Sequence, residues 1–168
     1  MFATPSATGA SGDARSASSW AESLAELGFE LPSTATPIGV CVPAVRTGDL
    51  VYTSGQLPLV RGSNERPGKV GRKVSVTDAS RAAEICTLNA LAAIDALVGL
   101  DSVVRVVKVT GFVASADDFA GQPGVVNGAS NLLARAFGDA GTHARSAVGV
   151  AELPLNAPVE VELIVEVA

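Results

Sequence analysis

One arginine stands out among the residues of this chain that could do chemistry. Arg145 is flanked by small residues in a run, 144–150, that has the composition of a β-strand. A guanidinium group is costly to bury without a partner, so an arginine in a strand needs one. Its planar fork could grip a substrate carboxylate through two parallel hydrogen bonds. It could equally form an internal salt bridge with Glu160 or Glu162, and the sequence leaves both possibilities open.

Two glutamates near the carboxyl end are the candidate general bases. Glu160 and Glu162 are two residues apart in a run with strand periodicity, so their side chains share one face of a sheet. Partial burial would raise the pKa of such a carboxyl group and suit it to activating a water molecule. The alternative is a pair of ordinary solvated or salt-bridged carboxylates, which fits Glu162 and Glu166 better than Glu160.

Ser54 and Gly55 lie at the end of a predicted strand, in the sequence Thr53-Ser54-Gly55-Gln56. A small hydroxyl beside a glycine lets a ligand approach the backbone N–H groups closely. A plain strand-to-loop turn explains the same residues and is favoured without other information. His143 has no hydroxyl or thiol clearly paired with it in the sequence, so a structural or solvent-facing role is expected.

Several common kinds of site are excluded by what the sequence lacks. It has no G-x-S-x-G serine elbow and no glycine-rich phosphate loop. A single histidine and two cysteines without a CxxC pair predict no metal site, and Cys86 is expected to be a buried, reduced thiol. The formal net charge is −5 and the twelve Lys and Arg residues are scattered, which argues against nucleic acid as a natural partner.

Hydrophobic periodicity predicts the elements that must position these side chains. A polar, aperiodic stretch at residues 1–18 is typical of a disordered tail, and Ser19 begins a capping box for a short helix over 20–27. The domain division is then tail 1–18, helix and linker 19–35, and one folded domain 36–168. In chain order the domain is predicted to contain strands 40–46 and 50–54, an exposed loop 61–73, a helix 77–98, a strand 103–114, a helix 125–137, and strands 144–150 and 159–167.

Details of the pattern predict which side chains face the core. Thr77 is expected to cap the long helix, whose apolar stripe runs from Ala79 to Leu97. Val107, Val109 and Val113 are expected on the same side of the strand 103–114.

The order β-β-α-β-α-β-β places both long helices on one face of a single sheet, so the other face needs cover from elsewhere. Charged residues are 17% of the chain, against about 25% in a typical protein, and self-association is therefore expected. No stretch reaches the roughly 18 apolar residues of a membrane span, and no secretory leader is recognisable, so a cytoplasmic location is expected.

The ordered set of short motifs resembles the YjgF/Rid family, also called endoribonuclease L-PSP. The motifs extend over residues 36–168 and are, in chain order, Val51-Tyr52-Thr53-Ser54-Gly55-Gln56, Leu88-Asn89-Ala90-Leu91, Val109–Phe119, Val126-Asn127, Ala144-Arg145-Ser146, Leu153-Pro154 and Val159-Glu160-Val161-Glu162. The resemblance implies a chorismate-mutase-like α+β fold and a homotrimer with ligand sites in the clefts between subunits. It also implies hydrolysis of reactive imines and enamines, such as 2-aminoacrylate, to a keto acid and ammonia without a cofactor.

The same resemblance assigns roles to individual residues. Arg145 matches the arginine that holds the substrate carboxylate, and Glu160 matches the glutamate that orients the attacking water. Ser54 and Gly55 match residues that line the cleft, and Asn127 matches an asparagine near the site.

Three positions depart from the family's pattern. Cys41 stands where deaminating members commonly carry a tyrosine that packs against the ligand. Ala147 replaces a frequent cysteine whose backbone carbonyl serves the site, and Gly149 replaces a frequent acidic residue. Cys41 and Ala147 are thus expected to line a binding site of altered shape. A non-catalytic binder of small carboxylates is the alternative function, and an endoribonuclease or translation inhibitor is a further one, against which the acidic charge counts.

Overall fold

The structure is a computed structural model that describes residues 19–34 and 40–168. The predicted tail 1–18 and the predicted boundary between linker and folded domain, at residues 35 and 36, lie outside the described residues. The helices are α1 (Trp20–Glu26), α2 (Val76–Val98) and α3 (Gln122–Phe137). The strands are β1 (Ala44–Thr47), β2 (Leu50–Thr53), β3 (Leu59–Val60), β4 (Ser63–Asn64), β5 (Val103–Ala114), β6 (Ala144–Val150) and β7 (Val159–Val167).

Five strands form one mixed sheet in the order β1-β2-β7-β5-β6. The β5–β6 pair is parallel, and the other neighbouring pairs are antiparallel. Helices α2 and α3 pack against each other and on one face of this sheet. The predicted α+β, chorismate-mutase-like architecture is therefore confirmed, with both long helices on a single face.

The core lies between the helices and the sheet, as the alternation in β7 predicts. Val159, Val161, Leu163, Val165 and Val167 are all buried, while the residues between them are half-buried on the other face. Small residues allow this close packing. A Cβ on Gly128 of α3 would overlap the carbonyl of Ser80 in α2, and a Cβ on Gly111 of β5 would overlap Val126 of α3. At these two glycines, α3 lies in close contact with both α2 and the sheet.

Helix α1 is anchored to the body of the domain. The predicted capping box is present, with the Ser19 hydroxyl accepting from the Glu22 N–H and the Glu22 carboxylate accepting from the Ser19 N–H. The Trp20 indole N–H donates to the Val103 carbonyl at 2.9 Å, and Leu24 is buried. Helix α1 thereby covers one end of the core between the helices and the sheet.

Several element boundaries differ from the predictions for local reasons. Helix α2 is capped by Ser75, whose hydroxyl accepts from the Asp78 N–H, and Thr77 lies inside its first turn. Strand β1 begins at Ala44 instead of 40, because Pro43 has no N–H to donate to a ladder. Helix α3 begins three residues early, at Gln122, with a proline tolerated in its first turn.

Two predicted core positions are wrong. Leu97 is 45% exposed, because the apolar stripe of α2 turns away from the sheet in its last turn. Val107 is only half-buried, since register shifts in the β5–β7 pairing place Val106, in its stead, on the core side with Val109.

The segment 61–73, predicted as an exposed loop, is only partly so. Arg61 and Gly62, both with positive φ, form the turn between β3 and β4, which pair as a separate two-stranded hairpin. Val70 is completely buried, and its N–H donates to the Ala114 carbonyl. None of the described helices is both long and apolar enough to cross a membrane.

Candidate functional site

Arg145 lies on β6, the edge strand of the sheet, with its side chain on the helix-covered face. Its register partner in β5 is Val109, which is buried under the helices. One guanidinium nitrogen, NH1, donates to Asn127 Oδ1 at 2.8 Å and to Ser130 Oγ at 3.1 Å. Asn127 and Ser130 are three residues apart on α3, so both project from the same side of that helix. The strand and the helix together hold the exposed guanidinium group from two sides.

The alternative of an internal salt bridge between Arg145 and Glu160 or Glu162 is wrong within this chain. The ion pairs of the described residues are Arg46–Asp49, Arg66–Asp78 and Lys69–Glu152. Glu160 and Glu162 project from the opposite face of the sheet, across from the partners of Arg145. Within the described chain, the Nε and NH2 donors of Arg145 have no acceptor, and its only partners are neutral oxygens.

His143 also belongs to this cluster, which the sequence did not indicate. Its Nε2 lies 2.9 Å from Ser130 Oγ, and its Nδ1 lies 2.6 Å from the Gly141 carbonyl. Ser130 was not a candidate on sequence grounds. The signal that could have found it is its position three residues after Asn127 in a predicted helix, on the face turned toward β6.

Glu160 and Gly55 form a second cluster. Gln56 and Val161 exchange two backbone hydrogen bonds, of 2.9 and 3.0 Å, which bring the residue before each of them together. A Cβ on Gly55 would overlap the Glu160 carboxylate, so only glycine leaves room for that side chain as it lies. Burial raises the pKa of the half-buried Glu160 carboxyl group, and the nearby charge of Glu162 raises it further.

Ser54 and Cys41 lie beside this second cluster. The Ser54 hydroxyl donates to the Val42 carbonyl at 2.6 Å, and the Ser54 N–H donates to the Pro43 carbonyl at 2.8 Å. Cys41, directly before Val42, is an exposed free thiol. The donating proton of Ser54 is thus used in holding the segment 41–43, while its oxygen lone pairs stay open to a ligand.

Ala147 and Gly149 continue the first cluster along β6. They share the helix-covered face with Arg145, because side chains two residues apart on a strand point the same way. Ala147 is half-buried against the core. Gly149 leaves space that the Gln122 amide fills, since a Cβ there would lie 2.9 Å from Gln122 Nε2. The residues that follow Arg145 on this face of β6 are therefore small.

The predicted site residues thus fall into two groups that one chain does not bring together. The arginine cluster is defined by Arg145, Asn127, Ser130, His143 and Ala147, and the glutamate cluster by Glu160, Gly55, Ser54 and Cys41. Strand β5 separates β6 from β7, and the two clusters use opposite faces of the sheet.

Neither cluster resembles a metal site. The described residues contain no group of three His, Cys, Asp or Glu side chains placed to hold a metal ion. Cys86 is buried and free, and burial raises the pKa of its thiol well above the ordinary value, so it is a core residue. A cleft of about 620 Å³ is present elsewhere, between the segment 30–34, the β3–β4 turn and α2, and it touches neither cluster.

The fold and the two clusters define a class: a mixed α+β sandwich with an edge-strand arginine and a half-buried glutamate on opposite sheet faces. The family model of Endoribonuclease L-PSP matches residues 33–167. The chain therefore belongs to this family, and the resemblance to the YjgF/Rid proteins is confirmed.

Known relatives differ in what is established about them. Protein TCP17 of Trypanosoma cruzi is 43% identical over 148 residues, covering 87% of this chain and 92% of that protein. A 2-iminobutanoate/2-iminopropanoate deaminase of Dermatophagoides farinae is 37% identical over 135 residues, covering 80% of this chain and 91% of that protein. The crystal structure of Atu1372 from Agrobacterium tumefaciens, a protein of unknown function, matches with a TM-score of 0.81 and 47% identity, covering 89% of this chain and 93% of that one.

Proposed function

We propose that this protein hydrolyses small 2-imino acids and their enamine tautomers to the 2-keto acid and ammonia. The observation that carries the proposal is the state of Arg145, an exposed guanidinium group with two neutral partners and no carboxylate partner in the described chain. The deaminase of Dermatophagoides farinae, which is 37% identical, supports the same chemistry.

Arg145 would recognise the substrate carboxylate. Its NH1 nitrogen is engaged with Asn127 and Ser130, so Nε–H and an NH2 hydrogen remain as a parallel pair of donors. Two such donors match the two oxygens of a carboxylate, and charge-assisted bidentate pairs of this kind are strong and directional. The fork therefore fixes both the position and the plane of a 2-imino acid, and hence the position of its C=N carbon.

Glu160 would serve as the base that activates water. Its pKa is raised by burial first and by the Glu162 charge second, which brings it closer to working pH and strengthens it as a proton acceptor. Water adds its oxygen to the C=N carbon while Glu160 takes one of its protons and passes it to the imine nitrogen, which gives a carbinolamine. The hydroxyl proton of the carbinolamine then passes to the amino nitrogen, the C–N bond breaks to release ammonia, and the oxygen electron pair left behind forms the C=O bond. This chemistry requires no cofactor.

The complete site would form between copies of the chain. Arg145 and Glu160 lie on opposite faces and two strands apart, so the carboxylate grip and the base must come from different subunits. The sheet face that the described residues leave uncovered supports such assembly, since it exposes Val45 (51%), Tyr52 (36%) and Val148 (43%) beside Glu160 and Glu162. A homotrimer, as the resemblance implies, would bury this face and bring the two clusters together.

The decisive assay generates an imino acid in place with an amino-acid oxidase and follows keto-acid release with and without the protein. We expect acceleration with wild type, a loss of at least about 100-fold in kcat/KM for Arg145→Ala, and a loss of about 100-fold or more in kcat for Glu160→Gln. Arg72→Ala is the matched control, because Arg72 is exposed on a turn and belongs to neither cluster.

Two other outcomes would indicate a different function. Keto-acid binding that depends on Arg145 but comes without turnover would identify a non-catalytic carboxylate binder, a possibility favoured by the exposed Cys41 in place of a packed aromatic residue. Cleavage of RNA that is lost in Glu160→Gln would instead support the activity in the family's name, against which the net charge of −5 counts.

A further inference from the structure

We propose that Ser130 and His143 are positioning residues for Arg145, an inference that rests on the proposed role of Arg145 as the carboxylate grip. The three side chains form one hydrogen-bonded series that ends on the backbone. It runs from Arg145 NH1 to Ser130 Oγ at 3.1 Å, from Ser130 Oγ to His143 Nε2 at 2.9 Å, and from His143 Nδ1 to the Gly141 carbonyl at 2.6 Å.

The direction of each hydrogen bond follows from its acceptor. A carbonyl oxygen only accepts, so His143 Nδ1 must carry a proton and donate to Gly141. In the neutral imidazole Nε2 then has a lone pair, and the Ser130 hydroxyl donates to it. The Ser130 oxygen consequently turns its lone pairs toward Arg145, which can only donate. Each group thus donates or accepts as its neighbour requires, and the hydrogen bond to the Gly141 carbonyl anchors the series to the backbone.

The consequence for Arg145 is a fixed orientation of its fork. Asn127 Oδ1 accepts the other NH1 hydrogen at 2.8 Å, so both hydrogens of this nitrogen are bound. Rotation about the Cζ–Nε bond would break both hydrogen bonds at once. The remaining donors, Nε–H and NH2, are thereby presented in one plane before a carboxylate arrives, and pre-ordering of this kind lowers the entropic cost of binding.

The same geometry argues against a nucleophilic Ser130. Arg145 donates to a lone pair of Ser130 Oγ, which reduces its nucleophilicity. Ser130 also lies in the middle of α3, where the neighbouring backbone N–H groups are used by the helix, so no oxyanion hole is at hand. A serine that positions the arginine is the role that the contacts fit.

The test measures Arg145 itself and does not depend on turnover. Nitrogen NMR of the guanidinium group, assigned by loss of the signal in Arg145→Lys, reports the rate of rotation about Cζ–Nε. We expect slow rotation in wild type, rotation faster by about 3- to 10-fold in Ser130→Ala, and recovery in Ser130→Thr, which keeps the hydroxyl. Ser102→Ala is the control, since the Ser102 hydroxyl donates only to the Gly99 carbonyl in an exposed turn.

Binding of 2-oxobutanoate, measured by calorimetry, gives the functional readout. Ser130→Ala and His143→Ala should each raise the Kd by about 3- to 10-fold, with KM rising and kcat nearly unchanged. In the Arg145→Ala background Ser130→Ala should have no further effect, because the serine acts through the arginine. The proposal is overturned if Arg145 rotates as freely in wild type as in Ser130→Ala. If Ser130 restrains the rotation of the Arg145 guanidinium group but the protein does not hydrolyse imines, the result would count against the deaminase function and not against the positioning role.

Discussion

Gly55→Ala should reduce activity strongly while changing the stability of the fold little. A Cβ at residue 55 would overlap the Glu160 carboxylate oxygen and lie 2.7 Å from its Cδ, so the carboxylate must move. The carboxylate is the end of a flexible side chain, and swinging it to another rotamer costs about 0.5–1.5 kcal/mol. The φ of Gly55 is one that alanine adopts, and the lower entropy of the unfolded chain returns about 0.4–1 kcal/mol. The net change in the free energy of unfolding is therefore within about 1 kcal/mol.

Activity should respond far more strongly than stability to the same substitution. Displacing a catalytic group by about 1 Å can cost about 100-fold in rate, and we expect kcat to fall by that order. Gly124→Ala is the matched control, because a Cβ there meets only Val76, at an ordinary 3.6 Å. Its activity should be unchanged, and its free energy of unfolding should rise by no more than about 1 kcal/mol. The assays are denaturant unfolding and imine hydrolysis on the same preparations. Full activity in Gly55→Ala would show that the reaction does not depend on the position of the Glu160 carboxylate. A large loss of stability would show that the carboxylate cannot move aside.

Three further changes have defined outcomes. Gly128→Ala should destabilise the fold by about 1–3 kcal/mol, measured by denaturant unfolding, because its Cβ meets the Ser80 backbone carbonyl, which cannot swing aside. Glu160→Gln should be more stable than wild type, by a difference that grows as the pH rises. Because the pKa of Glu160 is raised in the folded protein, wild type loses the stabilising effect of the protonated carboxyl group as the pH rises from the ordinary glutamate pKa to the raised one. Equal stability differences at acid and neutral pH would contradict this. Trp20→Ala should lower the free energy of unfolding by about 3–5 kcal/mol, since the ring packs 4.8 Å from Phe137 and its N–H is bonded to the sheet; a loss below about 1 kcal/mol would show that α1 does not support the domain.

Much of the fold can be predicted from local patterns in the sequence. The strict alternation in β7 predicts its boundaries and its buried face, and the alanine-rich stripe of α2 predicts a helix that packs closely on a sheet. What escaped prediction depends on pairing across the chain. The shifted register between β5 and β7, which exchanges Val107 for Val106 in the core, has no signal in β5 alone.

The candidate site shows the same division between local and long-range information. Arg145 and Glu160 were found by type and spacing, but the face on which Arg145 lies is decided by its parallel register with Val109. The participation of Ser130 depends on the approach of α3 to β6, which Gly111 permits by leaving room for Val126. Such contacts become visible only when helix and strand are placed together.

A crystal structure with a bound 2-keto acid would show whether Arg145 holds the substrate carboxylate. We predict that the two carboxylate oxygens lie about 2.7–2.9 Å from Nε and NH2 of Arg145. We also predict that Glu160 of a neighbouring copy faces the keto carbon. A keto acid bound away from Arg145, such as in the cleft beside α2, would contradict this role of Arg145, as would an Arg145 guanidinium paired with a protein carboxylate from another copy.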